Sequence, residues 1–225
     1  MFFRQIELIG EGLQRRLEQL RVLVVGAGGL GFSIAQTLSC IGLKELVVVD
    51  RDRITPSNLH RQFGYALSDV GRYKVEVLEQ LLNRCQTPVR GVVGWVGETR
   101  PEELGLGRGE WIIFDATDRV ESRRAILSLS KTYRVPWVYA GVEEWHGAVA
   151  YLPAGRGEEL IPATNLNPSP AQFPPLVGLV AQLAVEVGVR CWLGLEPPQL
   201  YYLTHSPHQP LQIRSLNLPV ESGKD

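Results

Sequence analysis

A glycine-rich segment near the start of the 225-residue chain has the composition of a phosphate-binding loop. It reads Gly26-Ala27-Gly28-Gly29-Leu30-Gly31 and lies between an apolar run, residues 22–25, and a stretch with helical periodicity that ends before Gly42. Glycines permit a tight turn and let backbone N–H groups at the start of a helix approach a phosphate. The segment therefore predicts a nucleotide-binding turn between a buried strand and a helix.

Asp50 is placed to complete such a site. It ends a second apolar run, residues 46–49, and lies 19 positions after Gly31. A carboxylate at the end of the second strand can accept hydrogen bonds from ribose hydroxyls. On these residues alone, any dinucleotide-binding fold fits, including that of an NAD- or FAD-dependent oxidoreductase. The alternative is that the glycines serve only a turn.

The elements that position these residues alternate between strands and helices. Residues 1–20 carry apolar side chains at spacings of three and four, which predicts an amphipathic helix. Strands are then predicted at 22–25, 46–50, 89–96, 111–115 and 136–140, with helices from the glycine loop to 41, at 73–85 and at 120–132. This alternation predicts an α/β fold with a mostly parallel sheet and helices on both faces.

The pattern changes after Gly141. A strand is predicted at 147–152, followed by a long loop at 153–174 that contains five prolines. Loops of this length in a compact domain are usually functional or disordered. A mostly apolar helix at 176–193 and a hairpin from 199–203 and 210–216 complete the chain, so we expect a small antiparallel C-terminal extension.

The polar segment that follows the second strand carries a more specific signal. It reads Asp50-Arg51-Asp52-Arg53-Ile54-Thr55-Pro56-Ser57-Asn58-Leu59-His60-Arg61-Gln62, and it resembles the D-x-D-x-(V/I)-x-x-S-N-L-x-R-Q signature of the ThiF/MoeB/HesA family, relatives of the ubiquitin-activating enzymes. Further matches, in chain order around it, are Arg4-Gln5-Ile6, the double-glycine loop, Val70-Gly71-Arg72-Tyr73-Lys74-Val75-Glu76, Asp115-Ala116-Thr117-Asp118 and Pro174-Pro175-Leu176-Val177-Gly178.

This resemblance implies one Rossmann-like adenylation domain over residues 1–225. Its parts are an N-terminal helix at 1–20, a nucleotide-binding core at 21–141, and a carrier-binding and C-terminal part at 142–225. Members of the family join ATP to a carboxylate, usually the C-terminal glycine of a ubiquitin-like protein, and release pyrophosphate. The resemblance thus implies adenylation of a sulfur carrier protein that ends in Gly-Gly, of the thiamine or molybdopterin type.

The resemblance also assigns roles to individual residues. Arg61 and Lys74 would stabilise charge that builds on the leaving phosphates, the first as a planar fork and the second as a point charge. The resemblance implies that the residues that bind the phosphates and the ribose are Gly26, Gly28, Gly29, Gly31, Asp50, Asn58 and Gln62. Asp52 would have a secondary role. The simpler interpretation of Lys74 is a solvated lysine on a helix face.

Two further assignments concern a metal and a partner. Asp118 would hold magnesium, a hard cation that prefers carboxylate and phosphate oxygens, although Asp is also a favoured helix N-cap. Arg4 would reach from one protomer into the ATP site of the other, which implies a homodimer. Arg4 could instead be an ordinary surface residue, since Arg-Gln-Ile is a short match.

The cysteines depart from the family pattern. Many relatives have two Cys-x-x-Cys pairs for structural zinc, but this chain has only Cys40, Cys85 and Cys191, so no zinc is expected. No cysteine lies between Cys85 and Cys191 to accept the acyl group, so a separate sulfurtransferase or acceptor would attack the adenylate. We interpret all three thiols as buried core side chains. Arg119 also replaces an asparagine of the family motif.

Charge and composition limit the partners, the cellular location and the alternative functions that we expect for this chain. The net charge is −1, and no basic patch is evident, so nucleic acid is not an expected partner and a tRNA-base dehydratase is disfavoured. No unbroken apolar run is long enough for a membrane span, no signal peptide is recognised, and an odd cysteine count favours the cytoplasm. A peptide-modifying activator and a catalytically inactive regulatory homologue stay open as alternatives.

Overall fold

The computed structural model describes residues 2–162 and 172–218. In these ranges the strands are β1 (Leu20–Val25), β2 (Glu45–Asp50), β3 (Val89–Val93), β4 (Glu110–Asp115), β5 (Trp137–Glu143), β6 (His146–Leu152), β7 (Gln199–Ser206) and β8 (Gln209–Asn217). The helices are α1 (Phe3–Leu17), α2 (Gly29–Ser39), α3 (Lys74–Leu82), α4 (Val120–Tyr133) and α5 (Pro174–Leu193).

The described strands form one sheet in the order β3-β2-β1-β4-β5-β6-β7-β8. The first five strands pair in parallel, and β5 to β8 pair in antiparallel fashion. This arrangement confirms the predicted α/β fold with its antiparallel C-terminal extension. Strand β3 is shorter than predicted and ends at Val93, because Trp95 and Val96 pack on a face of the sheet instead of extending it.

Apolar side chains cover both faces of the parallel strands, as continuous runs in β1, β2 and β4 require. One core packs α2, α3 and α5 against the sheet, and the other packs α4 and the segment 95–106 against the opposite face. Fully buried members include Leu23 of β1 and Phe114 of β4. The carboxyl ends of these strands therefore emerge between two helical layers.

Helix α5 is a core helix. By length and composition it could cross a membrane, but 56% of its most apolar window is buried inside the protein. A Cβ at Gly188 would lie 2.6 Å from the Phe114 ring, which shows how closely the helix approaches the sheet. It starts two residues earlier than predicted, with Pro174 and Pro175 in its first turn, where a missing N–H costs nothing. Residues 163–171 of the predicted loop lie outside the described residues.

Two of the three thiols differ from their predicted environments. Cys191 in α5 is buried as expected, but Cys40 is exposed and Cys85 is only half-buried. The prediction of a core thiol is wrong for Cys40, because this residue caps α2 just beyond the last buried turn of that helix.

The packing of α2 against β1 predicts a stability effect at Gly31. A Cβ there would lie 1.9 Å from the backbone oxygen of Gly26, so Gly31→Ala should lower the free energy of unfolding by about 3 kcal/mol. Gly12→Ala is the control, since a Cβ there meets nothing within 4 Å and should change stability by less than about 1 kcal/mol. Urea denaturation of both variants tests this; equal stabilities would contradict it.

Candidate functional site

A cleft of about 580 Å³ opens at the carboxyl ends of β1, β2 and β4. The strand order reverses between β1 and β4, so neighbouring connections leave in opposite directions and open a crevice, the usual ligand site of such sheets. Ten of the twelve residues assigned by resemblance line this cleft: Gly26, Gly28, Gly29, Asp50, Asp52, Asn58, Arg61, Gln62, Lys74 and Asp118.

The glycine turn is held between two strands. Gly26 has a φ of 100°, and a Cβ there would lie 2.7 Å from the Ala116 carbonyl oxygen after β4. The Gly26 N–H donates to Val49 O of β2 at 2.9 Å. The N-cap of α2, Gly28, brings no side chain to the first N–H groups of the helix. These groups are thus available to an anion in the cleft.

Asp50 fixes the loop from the other side. Its Oδ2 accepts the Ala27 N–H and its Oδ1 accepts the Asp52 N–H, each at 2.7 Å. Burial raises the pKa of this carboxyl, against the lowering effects of the Lys74 charge and the two N–H donors. Each carboxylate oxygen keeps a second lone pair for a hydroxyl ligand.

Lys74 is the first residue of α3 and its side chain is only 8% exposed. The Lys74 ammonium group lies 3.1 Å from the Asp52 carboxylate, and the Asp52 side chain is 56% exposed. The backbone N–H of Lys74 also donates a hydrogen bond to the backbone oxygen of Asp52. The N-terminus of a helix carries a partial positive charge, and the Lys74 ammonium group adds to it. The two positive charges together favour the binding of an anion next to Lys74. Lys74 is therefore not a solvated lysine on a helix face.

The segment after β2 folds into a turn that presents three polar side chains. Asn58 Oδ1 accepts the Thr55 N–H at 3.1 Å, and Arg61 Nη1 donates to Ser57 O at 3.1 Å. Gln62 is 3% exposed, and its Oε1 has no hydrogen-bond partner among the described residues. A buried acceptor of this kind is costly unless a ligand donor reaches it.

Asp118 is exposed at the cleft, between β4 and α4. The N-cap of α4 is Arg119, with extended backbone, so Asp118 is not the capping residue. Across residues 2–162 and 172–218, no three His, Cys, Asp or Glu side chains cluster as metal ligands. A magnesium ion at Asp118 would accordingly need ligands from phosphate oxygens or water.

Gly31 and Arg4 lie outside the cleft lining. Gly31 is buried at the contact between α2 and β1, so its observed role is close packing. Arg4 is exposed on α1, where it does not reach the cleft of its own chain.

An ion pair that the sequence analysis missed lies beneath the cleft. Asp115 at the end of β4 is fully buried and pairs with Arg123 of α4 at 3.2 Å. Thr117 donates twice to Asp115 Oδ1, and the Arg123 guanidinium lies 4.7 Å from the centre of the Tyr139 ring. Burial raises the pKa of Asp115, and the adjacent guanidinium counteracts that rise. The available signal was a carboxylate at the end of an apolar strand, because a buried charge needs hydrogen-bond donors or a nearby cation.

The cleft continues from the glycine turn to the antiparallel strands. Its far end is lined by Glu143, His146 and Tyr202 of β5, β6 and β7. The Tyr202 hydroxyl and His146 Nδ1 lie 2.9 Å apart, and their rings stack. Trp145, between β5 and β6, is half-buried against Phe173. The cleft is therefore longer than a nucleotide site confined to the parallel strands.

A model of the ThiF family matches residues 2–218. The chain belongs to the ThiF family. This ThiF-family chain is also 34% identical over 213 residues to a sulfur carrier protein adenylyltransferase of Thermus thermophilus, which covers 88% of the chain and 79% of that relative. It is 33% identical to the SAMP-activating enzyme E1 of Haloferax volcanii over 65% of the chain, but it spans only 55% of that protein.

Solved structures place the ThiF-family chain in the same fold group. The crystal structure of PaaA superimposes with a TM-score of 0.77 at 21% identity, covering 96% of the chain and 81% of PaaA. The structure of E. coli MccB with ATP gives a TM-score of 0.74 at 21% identity, over 91% of the chain and 65% of MccB. At this identity the similarity establishes the fold alone.

The Asp115–Arg123 pair predicts a strong double-mutant coupling. Arg123→Gln alone should lower the free energy of unfolding by about 3–5 kcal/mol, because it leaves the fully buried carboxylate without its cation. Asp115→Asn combined with Arg123→Gln removes both charges and should lose less than the sum of the single changes. Urea denaturation of the four proteins measures the coupling; additive losses would contradict the pairing.

Proposed function

We propose that this chain is an ATP-dependent adenylyltransferase that activates the C-terminal glycine carboxylate of a ubiquitin-like sulfur carrier protein. The observation that carries the proposal is the cleft, where the glycine turn, Asp50, Arg61 and Lys74 line one cavity. The 34% identity to a sulfur carrier protein adenylyltransferase supports the same substrate class.

The described residues fit a nucleoside triphosphate. The free N–H groups at the start of α2 suit phosphate oxygens, and Asp50 keeps acceptor capacity for ribose hydroxyls. The Gln62 amide, with its unpartnered oxygen, lies beside Gly28: a Cβ on that glycine would be 3.6 Å from Nε2. An amide with a buried free acceptor is suited to a ligand N–H or hydroxyl donor.

In the proposed reaction, a carboxylate oxygen of the carrier attacks the α-phosphorus of ATP. The new oxygen–phosphorus bond gives the acyl-adenylate, and the bond to the bridging oxygen breaks to release pyrophosphate. Arg61 and Lys74 would bind the departing phosphates and stabilise the charge that builds there. Magnesium at Asp118, together with phosphate oxygens, would supply further neutralisation when bound.

The far end of the cleft is the proposed entrance for the carrier tail. It runs along β5, β6 and β7 past Glu143, His146 and Tyr202, so an extended C-terminal segment would reach the glycine turn from that side. The chain has no cysteine between Cys85 and Cys191, so transfer from the adenylate would fall to a separate sulfurtransferase or acceptor. Arg4, exposed on α1, would act in the site of a second protomer, which makes a homodimer part of the proposal.

The deciding experiment is ATP–pyrophosphate exchange with magnesium, with Gly-Gly-ended carrier proteins added one at a time. Exchange that requires one carrier, and that disappears when its terminal glycine is removed, would support the proposal. Exchange with a peptide carboxylate and no carrier would favour a peptide-modifying activator. Absence of nucleotide binding in thermal-shift measurements would favour an inactive homologue.

Arg61→Ala and Lys74→Met should each lower the exchange rate at least about 100-fold, because each removes a cation from the leaving phosphates. The thermal midpoints should change little, since Met preserves the buried stem of Lys74 and the Asp52 carboxylate stays more than half exposed. Arg84→Ala and Lys44→Met, which alter exposed residues outside the cleft lining, are the matched controls and should keep the wild-type rate. Full exchange by either cleft variant would contradict its assignment.

Gln62→Met should separate nucleotide binding from stability. Removing a buried acceptor without a partner should leave the free energy of unfolding unchanged or raise it by about 1–2 kcal/mol, while the rise in thermal midpoint produced by ATP shrinks. Gln36→Met, on the exposed side of α2, is the control. A destabilised variant that keeps the full response to ATP would show that Gln62 is structural.

A further inference from the structure

Two thiols far apart in sequence meet at the ends of neighbouring helices. Cys40 caps α2, and Cys85 follows α3 by three residues. Their Sγ atoms are 3.5 Å apart, although the residues are 45 positions apart in the chain. Cys40 is exposed and Cys85 is half-buried, so a soluble reagent can reach the pair.

The backbone around these thiols is held by other bonds. The Thr87 N–H donates to Ser39 O at 3.1 Å, and Thr87 Oγ1 accepts the Leu43 N–H at 3.0 Å. Thr87 itself is 1% exposed. The native fold therefore brings the two sulfur atoms together without a covalent bond. A disulfide, with a bond of about 2.05 Å, requires only a small further approach of the side chains.

We propose that Cys40 and Cys85 are a modification site that forms a reversible intramolecular disulfide. With glutathione disulfide as oxidant, the exposed Cys40 thiolate attacks one sulfur, and one glutathione leaves as its thiolate. Cys85 then attacks the Cys40 sulfur of the mixed disulfide and releases the second glutathione. Two protein thiols are oxidised, and one glutathione disulfide is reduced to two glutathione molecules.

The bond would join the ends of α2 and α3 that lie away from the cleft. The opposite ends of these helices carry the glycine turn and Lys74. Closing a 45-position loop restricts the unfolded chain, so the oxidised protein should be more stable than the reduced one. Cys191 serves as an internal reference, because burial raises its pKa to about 11 and keeps it a thiol at neutral pH.

Burial and the adjacent Cys85 thiol raise the pKa of Cys40, so its thiolate is scarce at neutral pH and incubation should last on the order of hours. The test treats the full chain with glutathione disulfide, alkylates the remaining thiols under denaturing conditions, and maps the peptides by mass spectrometry. One alkylated thiol, Cys191, and one linked pair of peptides containing Cys40 and Cys85 are expected. The thermal midpoint should rise by about 5 °C and fall back on reduction.

Cys40→Ser and Cys85→Ser are the matched variants. Each should stop at a mixed disulfide with one glutathione, with no rise in midpoint on oxidation. Three alkylatable thiols in the treated wild-type chain, a stable glutathione adduct on it, a linkage to Cys191 or a disulfide between two chains would each overturn the proposal. None of these readouts depends on nucleotide or carrier, so failure here is separate from failure of adenylation.

Discussion

The close approach of the α2 N-terminus to the ends of β1 and β4 is the constraint on which the rest of the structure depends. It exists only because Gly31 leaves room for Gly26 O, and because Gly26 turns with a positive φ against Ala116. If α2 were displaced outward, the Asp50 and Asp52 loop could not close over the turn. The cleft is therefore a consequence of backbone packing before any polar side chain contributes to it.

Charge balance is the second requirement at this edge of the sheet. Two strands end in carboxylates, Asp50 and Asp115, and both are largely removed from water. The structure compensates them differently: the Lys74 charge and two backbone N–H donors act at Asp50, and a buried guanidinium acts at Asp115. Arg123 is paired with the fully buried Asp115, whereas Lys74 is paired with Asp52, which is more than half exposed. Water can replace Lys74 at the exposed carboxylate, so Lys74 is the cation better able to change partners when a phosphate of the proposed substrate enters.

The parallel half of the fold, the glycine turn and Asp50 could be predicted from local sequence, because the apolar pattern defines the strands that they follow. The assignment of Arg61, Lys74 and Asp118 to the site came instead from the family resemblance. Parallel strands bring their carboxyl ends to one edge, so Gly28, Asp50 and Asp118 share a cleft without knowledge of any tertiary contact. Two contacts were not predicted: the Asp115–Arg123 pair and the Tyr202–His146 contact. Each joins two different elements, and residue spacing within one element does not tell how two elements are rotated relative to each other. The exposed position of Cys40 escaped for a related reason: apolar periodicity does not locate the last buried turn of a helix.

The antiparallel extension lengthens the cleft beyond the parallel strands. The parallel strands of the sheet end at β5. Here β6 and β7 continue the same surface, and they add a stacked aromatic pair where the parallel strands would have ended in solvent. A proposed nucleotide site that continues along β6 and β7 in the same cleft suits the proposed reaction between a triphosphate and the end of a polypeptide chain. The proposal of a polypeptide carboxylate as the second substrate, in place of a small free acid, therefore depends on the shape of the cleft more than on any single residue.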